Sequence, residues 1–330
     1  MPRKLSQILP ATLLIAGGLV SNAQAADKVV FQLDWLPGGD KAPIYVCIEK
    51  GFCAEEGIEA TVSPGRGSSE AITRLAAGTS DVGSADIGAL MAAKVTEKVG
   101  ITAIMSIFNK GPHAFFVLKG GDITKIEDVK GRKVATSPFT SSNVFLPLVL
   151  KDVGLKDSDI TLTKTDPGAL GPMLMTGATD AIIAWTTNVT IFTNQAKAAG
   201  KEIDIFTWDA AGLELYSACL LASDKFITER PEVAKRFVKA FKKSLDYVKQ
   251  DPDGAAAAVV KLVPEMTVAD VKGAILDTMS LEFNEVTEKD GLGVFEPTRL
   301  ASTWERVSAA QNLDPKALDP AKIVNTSFLP

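Results

Sequence analysis

Two octets of this chain read alike: Leu75-Ala76-Ala77-Gly78-Thr79-Ser80-Asp81-Val82 and Leu174-Met175-Thr176-Gly177-Ala178-Thr179-Asp180-Ala181. In each, a helical segment ends on Gly and an Asp three residues later leads into an apolar strand. Five residues past each Asp stand Asp86 and Trp185, at corresponding strand ends. Around the first octet, Val29 to Trp35 alternates in the manner of a strand. Pro37-Gly38-Gly39 stops it, Ala42 to Lys50 reads as a short helix closed by Gly51, and Ile58 to Val62 as a second strand. Around the second octet, Lys133 to Thr136 reads as a strand, and Phe139-Thr140-Ser141-Ser142-Asn143 caps a helix running to about Val153. Strand–helix alternation implies mostly parallel sheets covered on both faces. Two such units in series imply an α/β protein of two lobes, although an echo this short also arises by chance.

The chain should cross between lobes at Asn109-Lys110-Gly111-Pro112 and again near Gly212 to Ser217, where Tyr216 to Leu221 returns as an apolar strand. The expected organisation is a leader over 1–25, lobe I over 26–112, lobe II over 113–214, and completion of lobe I over 215–330. That last part is helical. Val233, Phe237, Phe241, Leu245 and Val248 share one face between Pro231 and Asp251-Pro252, and helices follow at Ala255 to Leu262, Val268 to Met279 and Arg299 to Gln311.

The leader has Arg3 and Lys4, an apolar run from Leu9 to Val20 and the Ala23-Gln24-Ala25 cleavage pattern, as a secretory signal peptide does. No cysteine precedes Cys47, so no lipid attachment is expected, and the bacterial periplasm is the simplest destination. Losing Arg3 and Lys4 takes the net charge from −5 to −7, which argues against a nucleic-acid partner. One histidine and three cysteines cannot assemble a His/Cys zinc cluster or an HExxH site, and no metal or cofactor is expected. There is no Walker loop and no nucleophile elbow. His113 reads as a turn or strand-start residue. Cys47 and Cys53 could pair and leave Cys219 free, but the simpler expectation is three small buried side chains.

Ligands of open α/β sheets sit beyond the carboxyl ends of strands, beside helix N-termini. Four segments end there: Asp34 to Gly39, Gly65-Arg66-Gly67-Ser68-Ser69, Ser84-Ala85-Asp86, and Ser137 to Ser142 with Trp185 beside it. Hydroxyls and free backbone N–H groups at facing helix starts could hold an acidic or polar group, and two tryptophans could sandwich a flat ring or wall off a small anion. Each residue also has a plainer use. The serines cap helices, Trp35 packs in the core, Asp86 braces a turn, and Arg66 is a solvated loop residue.

Leu33-Asp34-Trp35-Leu36-Pro37 and the run Tyr45 to Ile58 resemble the opening of NMT1/THI5-like solute-binding proteins. Gly65 to Ser69, Gly78 to Asp86, Asp128 to Val134 and the closing Phe328-Leu329-Pro330 resemble the family too, and the likeness covers nearly all of 26–330. The resemblance implies a type II periplasmic-binding fold, two hinged lobes closing on a solute for an ABC importer of nitrate, sulfonates, taurine, thiamine pyrimidines or related compounds. It places Trp35, Ser68, Ser69, Asp86, Thr140, Ser141 and Trp185 in the cleft. The pyrimidine-binding branch reads D-W-x-P-N-x-x-H, whereas Gly38 and Lys41 stand here at the Asn and His. Those departures weigh against a thiamine pyrimidine, and also against the fungal synthases, which sacrifice a His near this motif.

The full candidate ligand-binding set is Trp35, Gly38, Lys41, Arg66, Gly67, Ser68, Ser69, Asp86, Ser137, Thr140, Ser141, Trp185 and Tyr216. The expected function is capture of a planar heterocycle or aromatic acid by a monomer that then meets an inner-membrane permease. The alternatives are a sulfonate-type anion on the same fold, an exported enzyme, or a sensor that uses the same closure.

Overall fold

A computed structural model describes residues 25–330 except 211 and 214, so the leader expected over 1–25 lies outside the described residues save for Ala25. The strands are β1 (Asp27–Gln32), β2 (Ile58–Ser63), β3 (Val82–Asp86), β4 (Ile101–Ser106), β5 (His113–Leu118), β6 (Lys133–Thr136), β7 (Thr161–Lys164), β8 (Ala181–Trp185), β9 (Ile203–Thr207) and β10 (Ala218–Ser223). They form two five-stranded sheets, ordered β2-β1-β3-β10-β4 and β7-β6-β8-β5-β9. In each sheet one strand opposes its neighbours: β10 pairs antiparallel with β3 and β4, and β5 with β8 and β9. These are the strands by which the chain enters the second sheet and returns to the first.

The two octets do the same work in the two sheets. Gly78 and Gly177 end their helices at φ 70° and 72°, a conformation that costs glycine least. Asp81 then accepts the Val30 N–H at 2.8 Å while its own N–H donates to the Val30 carbonyl at 3.0 Å. Asp180 repeats this with Lys133, at 2.7 and 2.9 Å. Each Asp thereby sets the register of the following strand against a neighbour.

Helices α1 (Ala42–Glu49), α2 (Phe52–Glu55), α3 (Ser68–Ala76) and α4 (Ile87–Thr96) surround the first sheet. The second carries α5 (Ser142–Asp152), α6 (Leu170–Thr176) and α7 (Val189–Ala198). After β10 the chain is helical: α8 (Asp224–Glu229), α9 (Pro231–Gln250), α10 (Pro252–Leu262), α11 (Val268–Glu282), α12 (Glu285–Asp290) and α13 (Pro297–Gln311). The apolar face of α9 buries Phe237 and Phe241 against Phe31 of β1, with ring centroids 6.1 and 5.8 Å apart. Truncating any of these three rings to Ala should cost about 3–5 kcal/mol.

The core does not divide cleanly between the sheets. Phe145, Val134 and Ile183 of the second sheet's half share a buried cluster with α4, Cys219, Leu221 and Trp304 of α13. Gln311 on α13 donates to the Val144 carbonyl of α5 at 2.6 Å. The C-terminal segment is therefore a shared wall behind both sheets.

Three sequence expectations change. Strand β1 ends at Gln32 rather than Trp35; Leu33 keeps one more bond, to the Ser63 carbonyl, and Asp34 and Trp35 stand beyond the sheet. The returning strand starts at Ala218, and Tyr216 precedes it. Cys47 and Cys53 form a disulfide, with Cα atoms 5.1 Å apart, and Cys219 is free and buried. Gly51, at φ 79°, turns the chain sharply between α1 and α2 and brings the two cysteines together.

Candidate ligand-binding cleft

At the carboxyl end of β1 the chain turns through a short 3₁₀ segment, Gly39–Lys41, packed against α11. A Cβ at Gly39 would lie 2.4 Å from the backbone nitrogen of Ile275, so only glycine permits this contact. The turn drives Lys41 inward, where its side chain is 3% exposed. Its Nζ lies 2.5 Å from Asp34 and 2.8 Å from Asp40. Asp34 also accepts the Ser84 hydroxyl at 2.8 Å. Burial opposes the charge on Lys41, but Asp34 and then Asp40 outweigh it and hold the ammonium above the ordinary lysine range. Burial raises the Asp40 carboxyl, and Lys41 offsets this only in part.

Beyond the aspartates lies a narrow cavity. Asp34, Trp35, Asp40, Gly67 and Ser68 line it from the first sheet's side, and Thr140, Trp185, Thr187 and Asn188 from the second's. The two sides touch around it. Gly67 lies against Phe139 and Thr140, and the Ser69 N–H donates to the Phe139 carbonyl at 3.1 Å. The Ser137 hydroxyl donates to the Arg66 carbonyl at 2.7 Å. The Trp185 ring lies 5.4 Å from the Lys41 ammonium and 6.0 Å from Phe108, and its Nε1–H is buried without a partner. A buried donor of this kind is costly unless something accepts from it.

Of the thirteen candidates, Trp35, Gly67, Ser68, Thr140 and Trp185 line this cavity, and Gly38 lines a neighbouring one. The other seven do not. Lys41 is spent on its two aspartates. Arg66 faces solvent and pairs with Glu70 at 3.2 Å. Ser69 and Ser137 make the cross-cleft bonds described above. Asp86 caps α4 through the N–H groups of Gly88 and Ala89 and accepts the Ser217 hydroxyl at 2.6 Å. Ser141 is buried, its hydroxyl unpartnered. Tyr216 is fully buried against Phe295 and accepts the Glu296 N–H at 2.7 Å.

His113 begins β5, as a strand-start residue would. Its Nδ1 is 3.0 Å from the Ser142 hydroxyl and its Nε2 is 3.6 Å from Asp86. Burial alone pushes His113 down to about 3, and burial raises Asp86 to about 6 against its hydrogen bonds. A neutral imidazole thus sits behind the cleft, outside the cavity lining.

Asp40, Thr187 and Asn188 were not singled out from sequence, nor was Glu282. Extending the octet comparison past Trp185 would have reached Thr187 and Asn188, since that strand end must also lead into a helix. Glu282, at the end of α11, is 2% exposed and faces Asp40 and Lys41. Burial first, then Asp40, pushes its carboxyl up to about 8. Its folded-state pKa lies above the unfolded one, so the folded protein holds a proton there more tightly and loses stability as pH rises from about 4.5 to about 8. Glu282→Gln should remove that loss. Urea denaturation should find the variant more stable than the parent at pH 9, on the order of a few kcal/mol, and near parity at pH 5. Equal midpoints at both pH values would contradict the assignment.

A cavity walled from both sides by two five-stranded mixed sheets, with a helical C-terminal segment behind them, is the architecture of periplasmic binding proteins. The periplasmic aliphatic sulphonate binding protein SsuA of Escherichia coli superposes with a TM-score of 0.70 at 16% identity, covering 92% of each chain. Residues 39–255 match the NMT1/THI5-like family, and the chain belongs to it. Among its relatives are the riboflavin-binding protein RibY of Chloroflexus aurantiacus, 23% identical over 94% of this chain and 88% of that one, and the 4-amino-5-hydroxymethyl-2-methylpyrimidine phosphate synthase THI5 of Saccharomyces cerevisiae, 24% identical over 73% of each. Among the described residues no helix is long and apolar enough to cross a membrane.

Proposed function

We propose that this protein is the exported solute-binding component of an ABC importer, and that it captures a planar, nitrogen-rich heterocycle by closing its two lobes. The observation that carries the reading is the composition of the cavity: two tryptophans, two aspartates and neutral hydrogen-bonding side chains, with its nearest cation, Lys41, already paired. Aspartates accept hydrogen bonds from ring N–H or amino groups, and the Trp35 and Trp185 rings offer flat apolar surface. A sulfonate or nitrate would meet two carboxylates and no free cation, which weighs against the anion alternative.

The lobes are assigned to 26–112 with 215–330 and to 113–214, hinged where the chain crosses at 109–112 and 212–217. Ligand would shift the population toward the closed form, which the permease recognises. The Cys47–Cys53 disulfide suits an oxidising compartment, in keeping with export to the periplasm as a soluble monomer. Binding rather than catalysis is favoured because the chain's one histidine is buried behind Trp185, outside the cavity lining, and bonded to Ser142.

A thermal-shift screen against pyrimidines, flavins, aromatic carboxylates, alkyl sulfonates and nitrate tests this reading. Stabilisation grows as RT ln(1 + [L]/Kd), about 2.7 kcal/mol at a hundredfold excess over Kd. A heterocycle should raise the melting temperature, and Trp185→Ala should erase the shift. A response confined to sulfonates or nitrate would overturn the ligand class.

A further inference from the structure

The cavity between the tryptophans is not closed at its far end. A second, wider chamber shares Trp35, Asp40, Thr187 and Asn188 with the first. The walls of the two differ. The first is made largely of buried groups, with Asp34, Ser68, Thr140, Trp185 and Thr187 each at most 9% exposed. The second reaches the surface past Leu36, Gly168 and Gln195 and is backed by Ile191 and Phe192 of α7. The first is therefore the inner chamber and the second its outward continuation. No lysine, arginine or histidine lines either one, and Asp40, on the shared wall, is the one charged side chain lining the outer chamber.

Resting on the heterocycle reading above, we propose that the ligand has two parts: a planar ring in the inner chamber, joined to a neutral or cationic second group in the outer one, and that phosphorylated forms are rejected. The inner chamber supplies the ring's contacts, an unpartnered indole N–H from Trp185 for a ring acceptor and the Asp34 and Asp40 carboxylates for ring donors. The outer chamber offers amide groups from Asn188 and Gln195 together with apolar surface, which suits an uncharged polar chain or a second ring. A phosphate there would find no unpaired cation, since Lys41 is already engaged by Asp34 and Asp40.

The test is isothermal titration of the purified protein with matched compounds. One series is 4-amino-5-hydroxymethyl-2-methylpyrimidine, thiamine and thiamine monophosphate. The other is lumichrome, riboflavin and flavin mononucleotide. In at least one series the two-part compound should bind tenfold or more tightly than its ring alone, and the phosphorylated member should lose that gain. Ile191→Trp, which fills the outer chamber from a partly exposed position, should bring the two-part compound down to the affinity of the ring. Ring compounds that bind as well as their two-part partners, or phosphorylated members that bind best, would overturn this inference and leave the heterocycle reading standing. No binding by any of the six would overturn both.

Discussion

Gly67→Val is expected to weaken ligand capture more than a hundredfold while leaving the protein folded. Gly67 adopts φ 155°, which L side chains rarely take, and a Cβ there would lie 2.1 Å from the carbonyl carbon and oxygen of Phe139 and 2.5 Å from the Thr140 nitrogen. Those atoms belong to the opposite side of the cleft, and rigid backbone cannot yield as a flexible side chain can. The collision exists only when the two sides meet, whereas the backbone strain of a valine at this φ persists in an open form and lowers stability by about 1–3 kcal/mol without unfolding the protein. A variant that cannot close loses the free energy that closure contributes to binding, and a hundredfold loss corresponds to about 2.7 kcal/mol. Titration with whichever heterocycle stabilises the parent in the thermal screen measures the affinity. Small-angle scattering should show a larger radius of gyration for the liganded variant than for the liganded parent. Parental affinity together with parental compaction would remove Gly67 from the closing contact.

Lys41→Met should destabilise the protein by about 3–5 kcal/mol, because breaking a buried ion pair from one side strands its partners. Here two carboxylates would be stranded, Asp34 and Asp40, with Glu282 close by. Methionine matches the lysine stem in length, so lost packing contributes little. The penalty comes from ionised carboxylates and must shrink as they take up protons, so the gap between variant and parent should narrow from pH 8 toward pH 5. Urea midpoints across that range provide the measurement. A variant as stable as the parent at pH 8 would mean that Lys41 does not neutralise the aspartates. The result bears on the ligand class too, since a free Lys41 would have made the cleft hospitable to anions.

The residues that were legible in advance share a physical reason. Trp35, Gly67, Ser68, Thr140 and Trp185 all lie where a strand has just ended or a helix is about to begin, and position along the chain reveals such places through glycine, serine and the end of alternation. Tyr216 and Asp86 misled for the same reason, since both sit beside strand ends. Only the packing of Phe295 and Glu296 on one, and of Ser217 and the α4 N–H groups on the other, turns them away from the cavity. Lys41 and Arg66 show the limit for charged groups. Both belong to the candidate set, and what each does depends on carboxylates whose approach is a matter of geometry: Asp34 and Asp40 in the interior for one, Glu70 at the surface for the other. The disulfide follows the same logic, because the turn at Gly51 decides whether Cys47 and Cys53 meet.

Local order in this protein was readable from residue order alone. The repeated Gly–x–x–Asp stretches, the alternating strands and the apolar face of α9 each depend on neighbours a few positions apart, and so the α/β class and its two sheets could be inferred from the chain. The tertiary structure decided which charges cancel, which hydroxyls are already engaged and which wall of the cleft remains free to meet a ligand. Those outcomes depend on distances between segments far apart in sequence, such as Asp34 and Trp185, and on the burial that makes an unmatched charge or donor expensive, neither of which is encoded in spacing along the chain.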